Sequence, residues 1–274
     1  PLRGQLISSE PHSAALARLQ RLQKKPFAIL PSHTCSHQKH CSRGIMAPMI
    51  RPDLNSIPAY VPGARMPDAL KLSSNESTHP PLPQAVQAMA DAAANVNRYP
   101  DMGVTELRQA LASALSLPGL ENVAVGCGSS ALCQQLVQIS CTDGDEVVFA
   151  WRSFEAYPIF AQVVGATPVP VPLTKDHRHD LPAMLDAITD RTRLMFVCNP
   201  NNPTGTTITH AEFEDFMRKV PPQVLVALDE AYVEYIRDVD TPLSTKYLQA
   251  FPNLVGLRTF SKAYGLAGAR VGYA

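Results

Sequence analysis

The sequence lacks net charge, long apolar segments and any cysteine pattern typical of a disulfide framework. Its 24 Lys and Arg balance 24 Asp and Glu, so nothing in the overall charge favours nucleic acid or an anionic membrane as a partner. No apolar run reaches the roughly 18 to 20 residues that a membrane helix needs. Cys127, Cys133, Cys141 and Cys198 lie in or beside apolar stretches without paired spacing, which predicts buried free thiols in a reducing cytoplasm.

The neutral total hides a basic N-terminal segment. Residues 1 to 45 contain seven Lys or Arg and one acidic residue, Glu10, which leaves 17 basic and 23 acidic residues for the rest. We expect residues 1–48 to be a basic leader that is disordered or absent from the mature protein, with the true start at Met46 or Met49. We also expect both ends to be cuts in a reading frame.

The leader allows two other interpretations. Its acid-poor, Ser-containing composition also resembles an organellar transit peptide, although helical amphipathicity stops at Pro26 and Pro31. Four suitable zinc ligands occur close together, but their spacing matches no finger pattern and nothing apolar surrounds them: Cys35, His37, His40 and Cys41. We therefore predict no metal site.

The remaining sequence predicts an N-terminal arm followed by an α/β domain. Residues 49–96 begin with a proline-rich stretch that excludes any long helix, and residues 97–274 alternate helical stripes with apolar strand-like runs. The run 194–198 is almost continuously apolar, as expected of a strand buried on both faces of a parallel sheet. A capping box of Thr209 and Glu212 predicts a helix start. The predicted fold is a mostly parallel sheet with helices on both faces.

Polar motifs follow several of the predicted strands. They are Gly126–Ser130, Asn199–Gly205, Asp229–Tyr232 and the segment 258–273 around Lys262. Because ligands of such sheets bind outside the carboxyl ends of the strands, these motifs are expected to meet there. A lysine, a buried aspartate, a tyrosine, an asparagine and a Gly/Ser turn together indicate a pocket for pyridoxal phosphate.

Each residue type suits one part of that cofactor. Lys262 would form a Schiff base with the aldehyde and act as a base, with its pKa lowered by desolvation and by Arg270. Asp229 would keep the ring nitrogen protonated, so that the ring accepts electrons. Taken alone, Lys262 is also compatible with a surface lysine and Asp229 with a helix N-cap.

The remaining candidates surround these two residues. Ser129 and Ser130 would bind the phosphate at a helix N-terminus, Arg270 would pair with it, Asn202 and Tyr232 would reach the ring oxygen, and Phe154 would stack on the ring. Structural roles alone would also explain the Gly/Ser turn, the prolines of 199–205 and the packing of Phe154.

The motifs resemble, in order, those of fold-type I aminotransferases of the histidinol-phosphate aminotransferase subfamily, over about residues 50 to 274. They are Lys71–Glu76, Asn97–Asp101, Gly126–Ser129, Asn199–Gly205, Asp229–Tyr232 and Thr259–Arg270. Within this subfamily, Gly126–Gln138 and Phe149–Tyr157 are most similar to the bacterial aromatic amino acid (phenylalanine) aminotransferase branch. The resemblance implies the fold-type I large domain and the cofactor roles just described. It adds Ser261 at the phosphate and Tyr99 at the phosphate of a neighbouring subunit, hence a homodimer.

Two departures accompany the resemblance. Ser130-Ala131 replaces an acidic pair that many relatives carry, which we expect to matter little. The small C-terminal domain, with the arginine that binds the substrate carboxylate, is expected to lie beyond Ala274, so this fragment alone is expected to be inactive.

The resemblance implies transamination between an aromatic amino acid and a 2-oxo acid. Three alternatives stay open: histidinol-phosphate aminotransferase of histidine biosynthesis, a pyridoxal-phosphate-dependent amino acid phosphate decarboxylase, and a non-catalytic fragment.

Overall fold

The computed structural model describes residues 51–58, 68–69, 71 and 73–274. The predicted leader and its candidate zinc ligands lie outside these residues. Within the described part of the chain, no helix is both long and apolar enough to span a membrane.

A seven-stranded sheet forms the centre of the domain. Its strands are β1 (Val125–Gly126), β2 (Glu146–Trp151), β3 (Thr167–Pro172), β4 (Thr192–Cys198), β5 (Leu225–Asp229), β6 (Leu254–Thr259) and β7 (Gly272–Tyr273). They lie in the order β1-β7-β6-β5-β4-β2-β3. All neighbouring pairs from β6 to β3 are parallel, whereas β7 is antiparallel to both β6 and β1. The prediction of a mostly parallel sheet is therefore confirmed.

In the part of the chain that the structure describes, six α-helices connect or flank these strands. They are α1 (Pro83–Ala93), α2 (Thr105–Ala114), α3 (Ser129–Ser140), α4 (Tyr157–Val164), α5 (Leu181–Asp186) and α6 (His210–Lys219). Short 3-10 turns occur at Pro52–Ser56, Ser73–Asn75, Leu120–Asn122, Val233–Tyr235, Ser244–Lys246 and Ala267–Ala269. The predicted capping box begins α6, where the Thr209 side chain accepts from the Glu212 backbone and Glu212 accepts from Thr209.

Helices cover both faces of the sheet and enclose two apolar clusters. On one face, side chains of α5 and α6 pack against alternate residues of the central strands, including Met195 and Val197 of β4. On the other face, α3 and α4 pack against the intervening residues, including Leu194 and Phe196. Alternate residues of one strand enter opposite clusters, so β4 is buried on both faces, as its continuous apolar run predicts.

Several local features differ from the sequence-based predictions. Helices α1, α4 and α5 begin with proline at the first or second position, where its missing N–H costs nothing. Pro83, which belongs to the stretch that argued against a long helix, therefore starts a helix of 11 residues. Cys133, Cys141 and Cys198 are buried free thiols as predicted, but Cys127 is exposed because it lies in the turn between β1 and α3.

Candidate functional site

A cleft of about 500 Å³ lies at the carboxyl ends of the strands. It is lined by nine of the ten predicted site residues: Ser129, Ser130, Phe154, Asn202, Asp229, Tyr232, Ser261, Lys262 and Arg270. These residues follow β1, β2, β4, β5 and β6. The parallel arrangement thus gathers side chains that are more than 140 positions apart in sequence.

One end of the cleft is built for an anion. Helix α3 begins at Ser129 without a side-chain cap, so its first N–H groups point toward the cleft with the positive end of the helix dipole. Arg270 Nη1 lies 3.3 Å from Ser261 Oγ, and its Nη2 donates to the Cys127 carbonyl at 3.4 Å. A cation, hydroxyls and free N–H groups converge here, which is the donor set that binds phosphate.

Two glycines make this approach possible. Gly128 has φ +81° and ψ 162°, a region open essentially to glycine, and a Cβ there would lie 2.3 Å from Arg270 Nη2. A Cβ on Gly272 of β7 would lie 2.3 Å from the Ser129 nitrogen. The anion-binding end therefore requires the absence of side chains at both positions.

The cleft also contains a buried carboxylate. Asp229 ends β5 and is only 3% exposed. Its Oδ2 accepts from the Tyr157 hydroxyl at 2.7 Å and its Oδ1 from the Ala231 N–H at 3.1 Å. Burial raises the pKa of Asp229, while these two hydrogen bonds oppose the increase. Only a 3-10 turn follows, capped by Tyr232, so the alternative of Asp229 as a helix N-cap is wrong.

Lys262 lies in the loop after β6 and is half-buried. Its Nζ donates to the carbonyls of Ser74 at 2.9 Å and Asn75 at 3.4 Å. Burial is the largest cause that lowers the pKa of Lys262, and the charge of Arg270 lowers it further, whereas Glu76 and Asp229 raise it. A larger fraction of this amine is thus unprotonated near neutral pH than in a solvated lysine, and only the unprotonated form can act as a nucleophile or base.

Two further polar side chains line the cleft, Tyr232 and Asn202. The Tyr232 hydroxyl accepts from Asn75 Nδ2 at 2.9 Å, which leaves its own proton available to a ligand. Asn202 lines the cleft from the loop after β4, and that loop is held by Asn201, which bonds to the Ser153 hydroxyl and the Arg152 carbonyl.

Phe154 and Tyr99 occupy different positions relative to the cleft. Phe154 lines it and packs edge-on against Tyr157, with ring centroids 5.4 Å apart. Tyr99 does not line the cleft of its own chain and is 97% exposed. Its contact with a neighbouring subunit stays a prediction.

Two contributions to the site were not predicted from the sequence. Tyr157, which had no predicted role beyond its place in the motif Phe149–Tyr157, is fully buried and donates its hydroxyl hydrogen to Asp229. Ser74 and Asn75 lie in a motif used only for the resemblance, yet their turn contacts Lys262 and Tyr232. The hydroxyl of Tyr157, three residues after the predicted ring-stacking residue Phe154, was the feature of the sequence that could have indicated a role in the site.

The residues fit the predicted pyridoxal phosphate. Its dianionic phosphate matches the α3 N-terminus and Arg270, and a protonated ring nitrogen matches the buried carboxylate of Asp229, whose negative charge lacks a cation at hydrogen-bonding distance within the described residues. The primary amine of Lys262 lines the same cleft. The donor set is thus suited to a ligand that is anionic at one end and cationic at the other.

Residues 67–274 match the family described as aminotransferase class I and II. The chain belongs to this family. It is 71% identical over 226 residues to an aromatic amino acid aminotransferase of Corynebacterium diphtheriae, an alignment that covers 82% of this chain and 65% of that protein. A Corynebacterium glutamicum protein of the same name is 65% identical, with coverage of 82% and 66%. The chain thus spans about two thirds of the length of these relatives.

Solved structures share the fold. The histidinol-phosphate aminotransferase of Sinorhizobium meliloti, in complex with pyridoxal 5'-phosphate, superposes with a TM-score of 0.69 at 35% identity, covering 73% of this chain and 54% of that one. The aromatic aminotransferase of Pyrococcus horikoshii gives a TM-score of 0.65 at 25% identity, with coverage of 73% and 57%. These similarities confirm the predicted fold-type I large domain.

Proposed function

We propose that this chain is the cofactor-binding part of a pyridoxal-phosphate-dependent aminotransferase that acts on aromatic amino acids. The observation that carries the proposal is the single cleft in which a half-buried lysine amine, a buried carboxylate and an anion-binding helix N-terminus meet. Membership of the aminotransferase class I and II family supports the reaction class.

In this proposal the chain's residues divide the work of binding. The phosphate would be held by Arg270, Ser129, Ser130 and Ser261. Asp229 pairs with the protonated ring nitrogen, and Phe154 covers one face of the ring. Asn202 and Tyr232 donate to the ring oxygen, with Tyr232 oriented by Asn75.

The bound cofactor supplies an aldehyde for covalent attachment and a ring that accepts electrons from the substrate's Cα. Lys262 Nζ would serve as the base that carries a proton between that Cα and the C4′ atom of the cofactor. The lowered pKa of Lys262 makes it a competent base for this transfer. The Asp229 carboxylate would supply the negative charge that pairs with the ring nitrogen.

The aromatic preference is supported by the names of relatives that are 58–71% identical. The full-length protein should transaminate phenylpyruvate faster than it converts histidinol phosphate. A reversed preference would indicate the histidinol-phosphate reaction, and carbon dioxide release without a 2-oxo acid would indicate decarboxylation.

We also propose a homodimer. Large apolar side chains at the N-cap of α1, along α1 and in the loop after it are exposed in the single chain: Leu82, Val86, Met89, Val96, Tyr99 and Met102. This many exposed large apolar side chains in one segment support a protein interface there. A cytoplasmic location is proposed from the free thiols of Cys133, Cys141 and Cys198.

Absorbance after addition of pyridoxal phosphate tests the central proposal. The wild-type protein should acquire a visible band, because a lysine–aldehyde imine on this ring absorbs visible light. Lys262→Ala should lose the band. The matched control is Lys219→Ala, which removes an exposed lysine of α6 that pairs with Asp215 and should keep it. A visible band of unchanged intensity in Lys262→Ala contradicts the assignment of Lys262.

A further inference from the structure

Tyr157 lies directly behind the buried carboxylate of the cleft. It is the first residue of α4, is 0% exposed, and donates its hydroxyl hydrogen to Asp229 Oδ2 at 2.7 Å. The other carboxylate oxygen accepts from the Ala231 N–H. Each oxygen of Asp229 therefore has one neutral donor from the protein, and its remaining lone pairs can accept from a ligand.

Aromatic packing fixes the position of this hydroxyl. The Tyr157 ring stacks on Phe196 of β4 with centroids 4.3 Å apart and planes 6° from parallel. Its edge contacts Phe154, with centroids at 5.4 Å and an interplanar angle of 86°. Because Phe154 lines the cleft, one tyrosine contacts both a wall of the cleft and the carboxylate at its end.

The surroundings make this hydroxyl a permanent donor. Burial, followed by the charge of Asp229, raises the pKa of Tyr157 well above its ordinary value, so the hydroxyl keeps its proton. For Asp229, burial raises the pKa and the bond from Tyr157 is the largest opposing cause. Other titratable groups that influence the pair are Cys133, Cys198, Glu230 and Lys262.

We propose that Tyr157 is a positioning residue that keeps the Asp229 carboxylate charged and oriented toward the cleft, and that braces Phe154 at the same time. This inference rests on the proposed function. Without the hydroxyl, the carboxylate loses a hydrogen bond to its charged form and competes more strongly for the proton of the ring nitrogen. That proton then moves toward Asp229, and the ring becomes a weaker electron acceptor.

The position of this proton can be measured directly. Pyridoxal phosphate labelled with ¹⁵N in its ring is bound to the full-length protein, and the nitrogen chemical shift is recorded together with the dissociation constant. In Tyr157→Phe, which keeps the ring and its stacking, the signal should move toward the unprotonated value. The ratio of the two proton positions should change about tenfold, and cofactor binding should weaken about tenfold.

Two further variants separate the hydroxyl from other effects. Tyr247→Phe removes a buried tyrosine hydroxyl outside the cleft, which bonds to His210 and Glu214, and should leave the nitrogen signal unchanged. Phe196→Leu removes the stacking partner but keeps the Tyr157 hydroxyl. It should lower the melting temperature, and it should move the nitrogen signal less than Tyr157→Phe does.

Each outcome is decisive. A nitrogen signal in Tyr157→Phe identical to wild type, with affinity within twofold, overturns the role of Tyr157 even though the cofactor binds. A signal that moves in Phe196→Leu as far as in Tyr157→Phe reduces the role to packing and also overturns it. Failure of the wild-type protein to bind the labelled cofactor overturns the proposed function itself.

Discussion

Glu230, directly after β5, and Arg258 of β6 form a buried ion pair, and removal of one partner should destabilise the domain strongly. Glu230 follows Asp229 and is 0% exposed, and its Oε2 accepts from Arg258 Nε at 2.8 Å. Ser244 also donates to both carboxylate oxygens, from its N–H at 2.7 Å and its hydroxyl at 2.6 Å. Arg258→Met would leave a buried negative charge with two neutral donors and, among the described residues, no cation at hydrogen-bonding distance.

The expected loss follows from this geometry. Breaking a buried pair costs about 3 to 5 kcal/mol, and we expect the lower end, about 3 kcal/mol, because the Ser244 donors remain. Adding Glu230→Gln removes the unpaired charge, so the double variant should lie within about 1 kcal/mol of wild type. The coupling energy in the double-mutant cycle should therefore be at least about 2 kcal/mol.

Equilibrium urea unfolding followed by circular dichroism measures all four proteins. The exposed i,i+4 pair of Arg218 and Glu214 on α6 provides the control, and Arg218→Met should cost no more than about 0.5 kcal/mol. A loss below about 1 kcal/mol for Arg258→Met, or additive effects in the cycle, would refute the reasoning that the charge of Glu230 depends on this arginine.

Three other changes have defined outcomes. Gly128→Ala should weaken pyridoxal phosphate binding at least about tenfold, because the added Cβ lies 2.3 Å from Arg270 Nη2, whereas affinity for pyridoxal, which lacks phosphate, should change less. Burial lowers the pKa of His179 to about 4 in the folded state. As pH decreases, the unfolded state therefore binds a proton at His179 before the folded state does. The free energy of unfolding should fall by about 2 kcal/mol between pH 7 and pH 5. His179→Gln should remove this part of the pH dependence of the free energy of unfolding, measured by urea unfolding at each pH. An unchanged pH dependence would contradict the prediction. Met89→Asp should shift a dimer toward monomer in sedimentation, while Asp91→Asn on the same helix should not.

Helices, strands and the main cofactor candidates could be inferred from local sequence because each has a local physical cause. A continuous apolar run such as 194–198 suits only a strand covered on both faces, and Thr209 with Glu212 satisfies the free N–H groups of a helix start. Lys262, Asp229 and Asn202 follow apolar runs, and the carboxyl ends of parallel strands share one edge. Short helices that begin with proline escaped prediction, since their apolar content carries little periodicity over 6 to 11 residues.

By itself the sequence determined the α/β class, the order of the strands along the chain and the residue types needed at one edge of the sheet. Only the tertiary structure decided which distant groups touch: the hydroxyl of Tyr157 on Asp229, Asn75 on Tyr232, and Arg270 against the glycine turn at Gly128. Periodicity reports which face of an element is buried, whereas these contacts depend on how separate strands and loops are placed side by side. Local pattern carries no information about that placement, because it follows from packing of the whole domain.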